Sequence, residues 1–153
     1  MEKIAGELLK KKKFTISSAE SCTGGLLTSK LTDISGSSEY VKGAIVSYTD
    51  EIKNSVLHVK EETLKNFSAV SYETALEMAE NVRKIFHTDI GVGVTGFTGP
   101  GGGSFEKPVG TVFISVADKN SVKVEEFHFK GSRTEIKNQA VEAALKMIIK
   151  FCE

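Results

Sequence analysis

Apolar and polar residues alternate along this chain with two different periods. Segments with apolar residues at helical spacing alternate with short runs that are rich in β-branched and aromatic residues. The predicted helices are Glu2–Lys13, a segment around Leu26–Leu31, a short one from Asp50 to Val56, Tyr72–His87 and Arg133–Phe151. The predicted strands are Phe14–Ser18, Tyr40–Tyr48, Asp89–Thr95, Val109–Ala117 and Val122–Phe129.

The order of these segments determines the expected fold class. Helices that alternate with strands favour an α/β fold, with a largely parallel sheet and helices on both faces. The last two strands are joined by the short polar turn Asp118–Ser121, which is typical of an antiparallel hairpin. We therefore expect a mixed, mostly parallel sheet. No internal repeat or linker interrupts the sequence, so residues 1–153 are expected to form a single domain.

The composition of the chain disfavours two classes of partner, nucleic acids and membranes. The 20 Lys and Arg residues are balanced by 20 Asp and Glu, so the chain has no basic field for a nucleic-acid backbone. Local basic patches are still compatible with this balance, and nucleic acid is therefore disfavoured as a partner without being excluded. A membrane is not expected either, because no apolar run is long enough to cross a bilayer and the N-terminus lacks the apolar centre of a signal peptide. Two distant cysteines, Cys22 and Cys152, without a CxxC motif, fit a cytoplasmic location.

Three polar loops follow predicted strands, at residues 18–25, 48–53 and 96–103. Ligands of α/β sheets bind beyond the carboxyl ends of strands, so these loops are expected to converge on a ligand site. The third loop is rich in glycine but matches neither the P-loop pattern nor a GxGxxG that opens a helix. Its glycines would let backbone N–H groups approach an anion, although a flexible connector explains the composition equally well.

A second group of candidate residues comprises Ser38, Tyr48 and Lys53. A serine hydroxyl needs a base to become a nucleophile, and lysine can be that base only if its pKa falls towards neutrality. A helix start lowers a lysine pKa by less than about one unit, so burial would have to provide most of the shift. Spacing alone favours a plainer interpretation, with a capping serine, an interfacial tyrosine and a solvated lysine.

For other polar residues the sequence is compatible with more than one role. Glu20 either belongs to a polar site or is a helix-capping charge, and Ser21 or Thr23 could cap the helix that follows. Arg133 is poorly placed for the helix dipole, so it either meets a carboxylate or phosphate or is an ordinary surface residue. Cys22 has no nearby histidine to activate it, and the three histidines show no metal-ligand spacing.

Several short motifs occur in an order that resembles a known family. They read AESCTGG at 19–25, GSS at 36–38, YTDEIK at 48–53, AVS at 69–71, GFTGP at 96–100 and KPVGTV at 107–112. Each motif is weak alone, but the ordered set resembles the CinA C-terminal domain family, which includes nicotinamide-nucleotide amidohydrolases, over nearly the whole chain. The sequence departs from the family at Ser68, where glycine is frequent, and at Gly131–Ser132–Arg133, where Gly-Asp-Arg is usual. The larger N-terminal domain often fused to such domains is not in the sequence, so a stand-alone form is expected.

The resemblance also implies a function. It implies a three-layer α/β/α fold and hydrolysis of nicotinamide mononucleotide to nicotinic acid mononucleotide and ammonia, by a homodimer that needs no metal or cofactor. Ser38 would be the nucleophile, Lys53 its general base and Tyr48 a supporting hydrogen-bonding group. The expected substrate-binding residues are Ser21, Thr23, Gly24, Gly96, Thr98, Gly99, Gly101, Gly102 and, near the phosphate, Arg133.

Two further expectations complete this interpretation. The helix that begins after Ser21 and Thr23 would offer N–H groups to an anion or an oxyanion. The alternative function is a nucleotide-binding, competence-associated module without catalysis.

Overall fold

A five-stranded mixed sheet forms the centre of the fold. In this computed structural model, which describes residues 1–153, the strands are β1 (Ile16–Glu20), β2 (Val41–Val46), β3 (Ile90–Gly96), β4 (Thr111–Ala117) and β5 (Val122–His128). Their spatial order is β2-β1-β3-β4-β5. β1 is parallel to β2 and β3, whereas β4 is antiparallel to β3 and β5. Only β4 therefore runs against the other strands, and the prediction of a mixed, mostly parallel sheet is confirmed.

Six α-helices cover the two faces of the sheet. They are α1 (Glu2–Lys12), α2 (Leu26–Thr32), α3 (Asp50–Ser55), α4 (Glu61–Phe67), α5 (Tyr72–Phe86) and α6 (Arg133–Cys152). The sequence pattern predicted five of them but missed α4, and it also missed a 3₁₀-helical turn at Ser37–Glu39. None of these helices is long and apolar enough to cross a membrane.

Each face of the sheet has its own apolar core. Side chains such as Ile16 and Leu27 belong to the larger core, which α1, α2 and α6 cover. Ala19 and Met78 belong to the smaller core beneath α5. Ile16 and Ala19 are three positions apart on β1, so their side chains point to opposite faces of the sheet. The alternation of side chains along the strands therefore explains the three-layer α/β/α arrangement.

Glycines in β3 allow α5 to approach the sheet closely. A Cβ atom at Gly93 would lie only 2.8 Å from the backbone oxygen of Ala75 in α5, and one at Gly91 would collide with the Ala79 carbonyl. Residues without side chains at these two positions therefore determine how closely the helix packs.

The start of α6 is fixed by a capping box. The Ser132 hydroxyl accepts a hydrogen bond from the Glu135 N–H, and the Glu135 carboxylate accepts one from the Ser132 N–H. This reciprocal pairing satisfies two N–H groups that a helix start otherwise leaves free. It makes Arg133 the first helical residue and holds it at the sheet edge where β5 ends.

Candidate active site

The parallel strands all end at one edge of the sheet, and a pocket of about 280 Å³ lies there. Ser21 directly follows β1, Tyr48 follows β2 by two residues, and Gly96 is the last residue of β3. The pocket is lined by Ser21, Cys22, Tyr48, Asp50, Lys53, Ala69, Val70, Thr95, Gly96, Phe97, Thr98, Gly99, Gly101 and Arg133. The three loops predicted to converge on a ligand site thus contribute to one pocket.

Lys53 is the most deeply buried charged residue of this pocket. Only 2% of its surface is exposed. Its Nζ donates hydrogen bonds to Ser21 Oγ at 2.9 Å and to the backbone oxygen of Ser47 at 3.0 Å. The Thr49 hydroxyl accepts a hydrogen bond from the Ile52 N–H and so caps α3, which begins three residues after the end of β2 and carries Lys53 back over the end of the sheet.

Burial lowers the pKa of Lys53 below the ordinary lysine value, because desolvation disfavours the charged ammonium. The negative charge of Asp50 acts in the opposite direction and raises the Lys53 pKa. Desolvation is the larger of the two effects, so the neutral amine is more populated than in a solvated lysine. The sequence argument required burial, and not the helix start, to provide most of the shift in the Lys53 pKa, and burial is the largest cause of that shift.

Ser21 lies in a tight turn that is tied to the sheet. Its N–H donates to the Val94 backbone oxygen at 2.9 Å, and its own carbonyl accepts from the Gly24 N–H at 3.1 Å. The side chain is buried against Lys53. The amide N–H groups of Cys22 and Thr23 donate to no backbone acceptor, which leaves two donors directly after the serine.

Glu20 caps the helix that follows this turn. Its fully buried carboxylate accepts hydrogen bonds from the Thr23 and Thr28 hydroxyls and from the Leu27 and Thr28 N–H groups. The helix-capping alternative for Glu20 is therefore correct, and the prediction that Ser21 or Thr23 caps α2 is wrong. The same bonds use the N–H groups at the start of α2, so they are not offered to an anion as expected. Thr23 faces Glu20 and does not line the pocket.

Ser38 lies far from Lys53, which contradicts the predicted pairing of these two residues. Ser38 is exposed in the 3₁₀-helical turn that precedes β2, whereas Lys53 follows β2. A strand advances about 3.3 Å per residue, so the six residues of β2 place the two side chains at opposite edges of the sheet. The prediction that Ser38 is the nucleophile activated by Lys53 is wrong, because Ser21 occupies the position next to the amine.

Tyr48 and Arg133 form a pair at the pocket mouth. Arg133 donates from Nη2 to the Tyr48 hydroxyl at 2.8 Å and from Nη1 to the Gly99 backbone oxygen at 2.6 Å. Tyr48 is 57% exposed and bonds neither the serine nor the lysine, so its predicted support of those two groups is not observed. Arg133 instead links the end of β2, the glycine-rich loop and α6.

The glycine-rich loop forms one wall of the pocket. The predicted residues Gly96, Thr98, Gly99 and Gly101 line it. Gly102 does not, and it packs near Phe97 instead. Gly24 also lies outside the lining, and a Cβ atom there would lie 3.8 Å from Lys137 Nζ.

A single lysine anchors the far end of this loop. Lys107 Nζ donates to the Val70 backbone oxygen at 2.6 Å and to the Phe67 backbone oxygen at 3.3 Å. Because Val70 also lines the pocket, Lys107 joins the segment after the glycine-rich loop to the part of the wall that contains Val70.

Cys22 lines the pocket as a buried thiol. Burial raises its pKa to about 12, so it carries no thiolate at neutral pH. No group of three or more His, Cys, Asp or Glu side chains is arranged so as to hold a metal ion.

A larger groove of about 440 Å³ lies between β5 and α6. Its walls include Phe127, Phe129 and Met147, together with charged residues that are open to solvent. It is lined by no serine, threonine or cysteine that could act as a nucleophile, so the smaller pocket at the strand ends is the better candidate for chemistry.

Comparison with known proteins shows the family of the chain. The sequence profile of the CinA C-terminal domain matches residues 1–152. The chain belongs to the CinA C-terminal domain family. A CinA-like protein from Endomicrobium trichonymphae is 49% identical over 145 residues, which are 95% of this chain and 34% of that protein. A relative from Thermoanaerobacter sp. (strain X514) is 45% identical over 151 residues, which are 99% of this chain and 37% of the relative.

Solved structures of CinA-family proteins have the same fold. The competence/damage inducible protein CihA from Agrobacterium tumefaciens is 41% identical, with a TM-score of 0.94 over 99% of this chain and 95% of that one. A competence or damage-inducible protein from Enterobacter asburiae is 30% identical, with a TM-score of 0.95 over 99% of this chain and 96% of that one. The chain spans just over a third of the length of the curated CinA relatives named above, but nearly the full length of these two structures.

Some pocket residues were not predicted from the CinA-like motifs. The sequence predicts Asp50 only as part of a helix start, and it assigns no role to Ala69, Val70 or Thr95, although all four line the pocket. One available signal pointed to Ser21 as the partner of Lys53. Both residues follow the carboxyl ends of adjacent parallel strands, whereas Ser38 precedes a strand.

Proposed function

We propose that this chain hydrolyses the carboxamide of nicotinamide mononucleotide, giving nicotinic acid mononucleotide and ammonia. In this proposal Ser21 is the nucleophile and Lys53 is its general base. The observation that carries it is the 2.9 Å contact between Lys53 Nζ and Ser21 Oγ, both of them buried at the strand ends. The resemblance to a family that includes nicotinamide-nucleotide amidohydrolases supports the choice of substrate.

The first half of the reaction forms an acyl-enzyme. Neutral Lys53 removes the proton from the Ser21 hydroxyl as Oγ attacks the carboxamide carbon, and the carbonyl oxygen becomes an oxyanion. The free N–H group of Cys22, which lines the pocket, lies next to the nucleophile and is suited to stabilise that oxyanion. The protonated Lys53 then donates its proton to the nitrogen of the leaving group, the carbon–nitrogen bond breaks and ammonia departs.

The second half regenerates the enzyme. Neutral Lys53 removes a proton from a water molecule, whose oxygen attacks the acyl carbon. Collapse of this intermediate breaks the bond to Ser21 Oγ, which takes the proton back from Lys53, and nicotinic acid mononucleotide is released. One base thus serves both halves, and its lowered pKa makes the neutral amine more available for each proton transfer than it is in a solvated lysine.

The decisive experiment measures ammonia and nicotinic acid mononucleotide after incubation of the chain with nicotinamide mononucleotide. We expect both products in equal amounts from the wild type and almost none from Lys53→Met. Exposed Lys42, whose ammonium contacts the Ser38 backbone oxygen, provides the control, and Lys42→Met should retain full activity. Absence of both products from the folded wild type would refute the proposal.

A second candidate function is a nucleotide-binding module without catalysis. The observation in its favour is that structural relatives are described as competence or damage-inducible proteins. Saturable binding of nicotinamide mononucleotide, with no product from a panel of pyridine nucleotides, would favour this second function over the first.

A further inference from the structure

The wall of the candidate active site contains a carboxylate that no other side chain neutralises. Asp50 lines the same pocket as Ser21 and Lys53, and no ion pair in the structure includes it. Lys53 donates its hydrogen bonds to Ser21 and Ser47, and those of the Arg133 guanidinium also go to other residues. The Asp50 carboxylate is therefore available to a ligand in the pocket.

The charge of Asp50 does not help the proposed base. It raises the pKa of Lys53, whereas a general base needs that pKa to be lower. The start of α3 does not depend on it either, because Glu51 supplies a second negative charge in the same helical turn. A benefit of the Asp50 carboxylate is therefore to be sought in what the pocket binds.

An aromatic ring forms another part of the same pocket wall. Phe97 directly follows β3 and packs against the apolar cluster of Val70, Ala75 and Phe113. Its side chain is only half-buried, so part of the ring is open to the pocket that it lines. The face of an aromatic ring attracts a cation and also packs well against a flat ligand. Together with an unpaired carboxylate, this ring favours a ligand that is both aromatic and positively charged.

We infer that Asp50 and Phe97 bind the substrate ring as a cation, so that the pocket selects N-substituted pyridinium carboxamides over uncharged aromatic carboxamides. This inference rests on the proposed function. The ring nitrogen of nicotinamide mononucleotide is bonded to ribose, which gives the ring a permanent positive charge. Because the carboxamide has to lie at Ser21 Oγ to react, the ring lies within the pocket that both residues line. Neutral Lys53 does not repel this ring, whereas an ammonium group would.

Two ligands that differ in the charge of the ring test this inference. Reduced nicotinamide mononucleotide keeps the ribose, phosphate and carboxamide of the oxidised form, but its dihydropyridine ring is uncharged. Both are titrated into a Ser21→Ala chain, which lacks the proposed nucleophile, and calorimetry gives each Kd. Adding Asp50→Asn should weaken binding of the oxidised ligand about fivefold and leave that of the reduced ligand within about 1.5-fold.

Matched variants separate the charge of Asp50 from its position. Glu51→Gln removes an equal charge from the same helical turn but outside the pocket lining, so it should change neither Kd. Asp50→Glu keeps the charge and should retain most of the preference for the oxidised ligand. Phe97→Leu should reduce that preference, because leucine is apolar but has no aromatic face. Since Asp50 is exposed, the preference should also decline as the salt concentration rises.

Binding and turnover are measured separately, so failure of this inference can be distinguished from failure of the proposed function. An equal change in Kd for both ligands in Asp50→Asn would overturn the inference, because it would indicate a contact with the ribose instead of the ring. Absence of binding by either ligand would overturn it as well. A selective loss of oxidised-ligand binding in Asp50→Asn would support the inference even if the wild type released no ammonia.

Discussion

Lys53 Nζ lies 2.9 Å from Ser21 Oγ, although 32 residues separate the two along the chain. The contact arises because β1 and β2 are adjacent and parallel, so Ser21 and the start of α3 leave the sheet at the same edge. Burial of both side chains then removes the water that would otherwise solvate the ammonium. The topology brings the proposed nucleophile to its proposed base, and the packing lowers the pKa of that base.

Two serine variants discriminate between the nucleophile expected from the motifs and the one next to Lys53. Ser21→Ala should lower kcat/KM for nicotinamide mononucleotide by at least about a thousandfold, because no hydroxyl remains beside the amine. Ser38→Ala should leave kcat/KM within about twofold of the wild type, because Ser38 is exposed at the opposite edge of the sheet. Steady-state rates of ammonia release provide the measurement. Loss of activity in Ser38→Ala with retention in Ser21→Ala would reverse the assignment.

Most of the fold could be predicted from local sequence patterns. The long periodic segments that became α5 and α6 were recognised almost to the residue, since one wide apolar stripe leaves few alternatives. α4 was missed because its seven residues include only two apolar ones, Leu64 and Phe67. A helix this short depends on tertiary packing more than on its own pattern.

The site was harder to predict than the fold, because residue pairing depends on which strands are neighbours. The sequence identified Lys53 and the need for its burial, but not which of several serines would reach it. Strand order decides this, and it places Ser21 next to Lys53 and Ser38 at the other edge. The role of Glu20 does not follow from the sequence for a similar reason, since its four hydrogen bonds depend on the path of the chain after β1.

Asp50 should tune the pH dependence of the reaction. Its charge raises the pKa of Lys53, so Asp50→Asn should lower that pKa further and keep the amine neutral in more acidic solution. The ascending limb of the kcat/KM profile should therefore move to lower pH. Glu51→Gln removes a neighbouring charge that is exposed in the same helical turn and outside the pocket lining, and it should leave the limb in place. A shift to higher pH in Asp50→Asn would contradict the role of Lys53 as the base.

Glu20 should be important for stability although it does not line the pocket. Gln has the same shape, but its NH₂ group cannot accept the hydrogen bonds that one carboxylate oxygen now accepts at the start of α2. Loss of charge-assisted bonds at a fully buried position should destabilise the chain by about 2–3 kcal/mol. Urea unfolding of Glu20→Gln at neutral pH measures this, with exposed Glu7→Gln as a control that should change stability little. An unchanged midpoint for Glu20→Gln would show that the carboxylate is not needed to hold this turn.

Ser68 should be a site where substitution by glycine stabilises the chain. Its backbone has φ 72° and ψ 169°, a region that is essentially restricted to glycine and costs other residues about 1–3 kcal/mol. The Ser68 hydroxyl makes only long contacts in return, at 3.3 Å to the Val70 oxygen and 3.4 Å from Lys107 Nζ. Relief of this strain is partly offset, because glycine loses more conformational entropy on folding, at a cost of about 0.5–1 kcal/mol. Ser68→Gly should therefore raise the free energy of unfolding by about 1 kcal/mol.

The matched variant Ser68→Ala separates backbone strain from the loss of the hydroxyl. Alanine removes the same two hydrogen bonds but keeps a Cβ atom in the restricted region, so Ser68→Ala should be no more stable than the wild type. Urea unfolding midpoints of the three proteins provide the comparison. If Ser68→Gly and Ser68→Ala changed stability equally, the hydroxyl rather than the backbone would be responsible. The segment after α4 joins the pocket wall at Val70, so strain relieved at Ser68 is relieved next to the site itself.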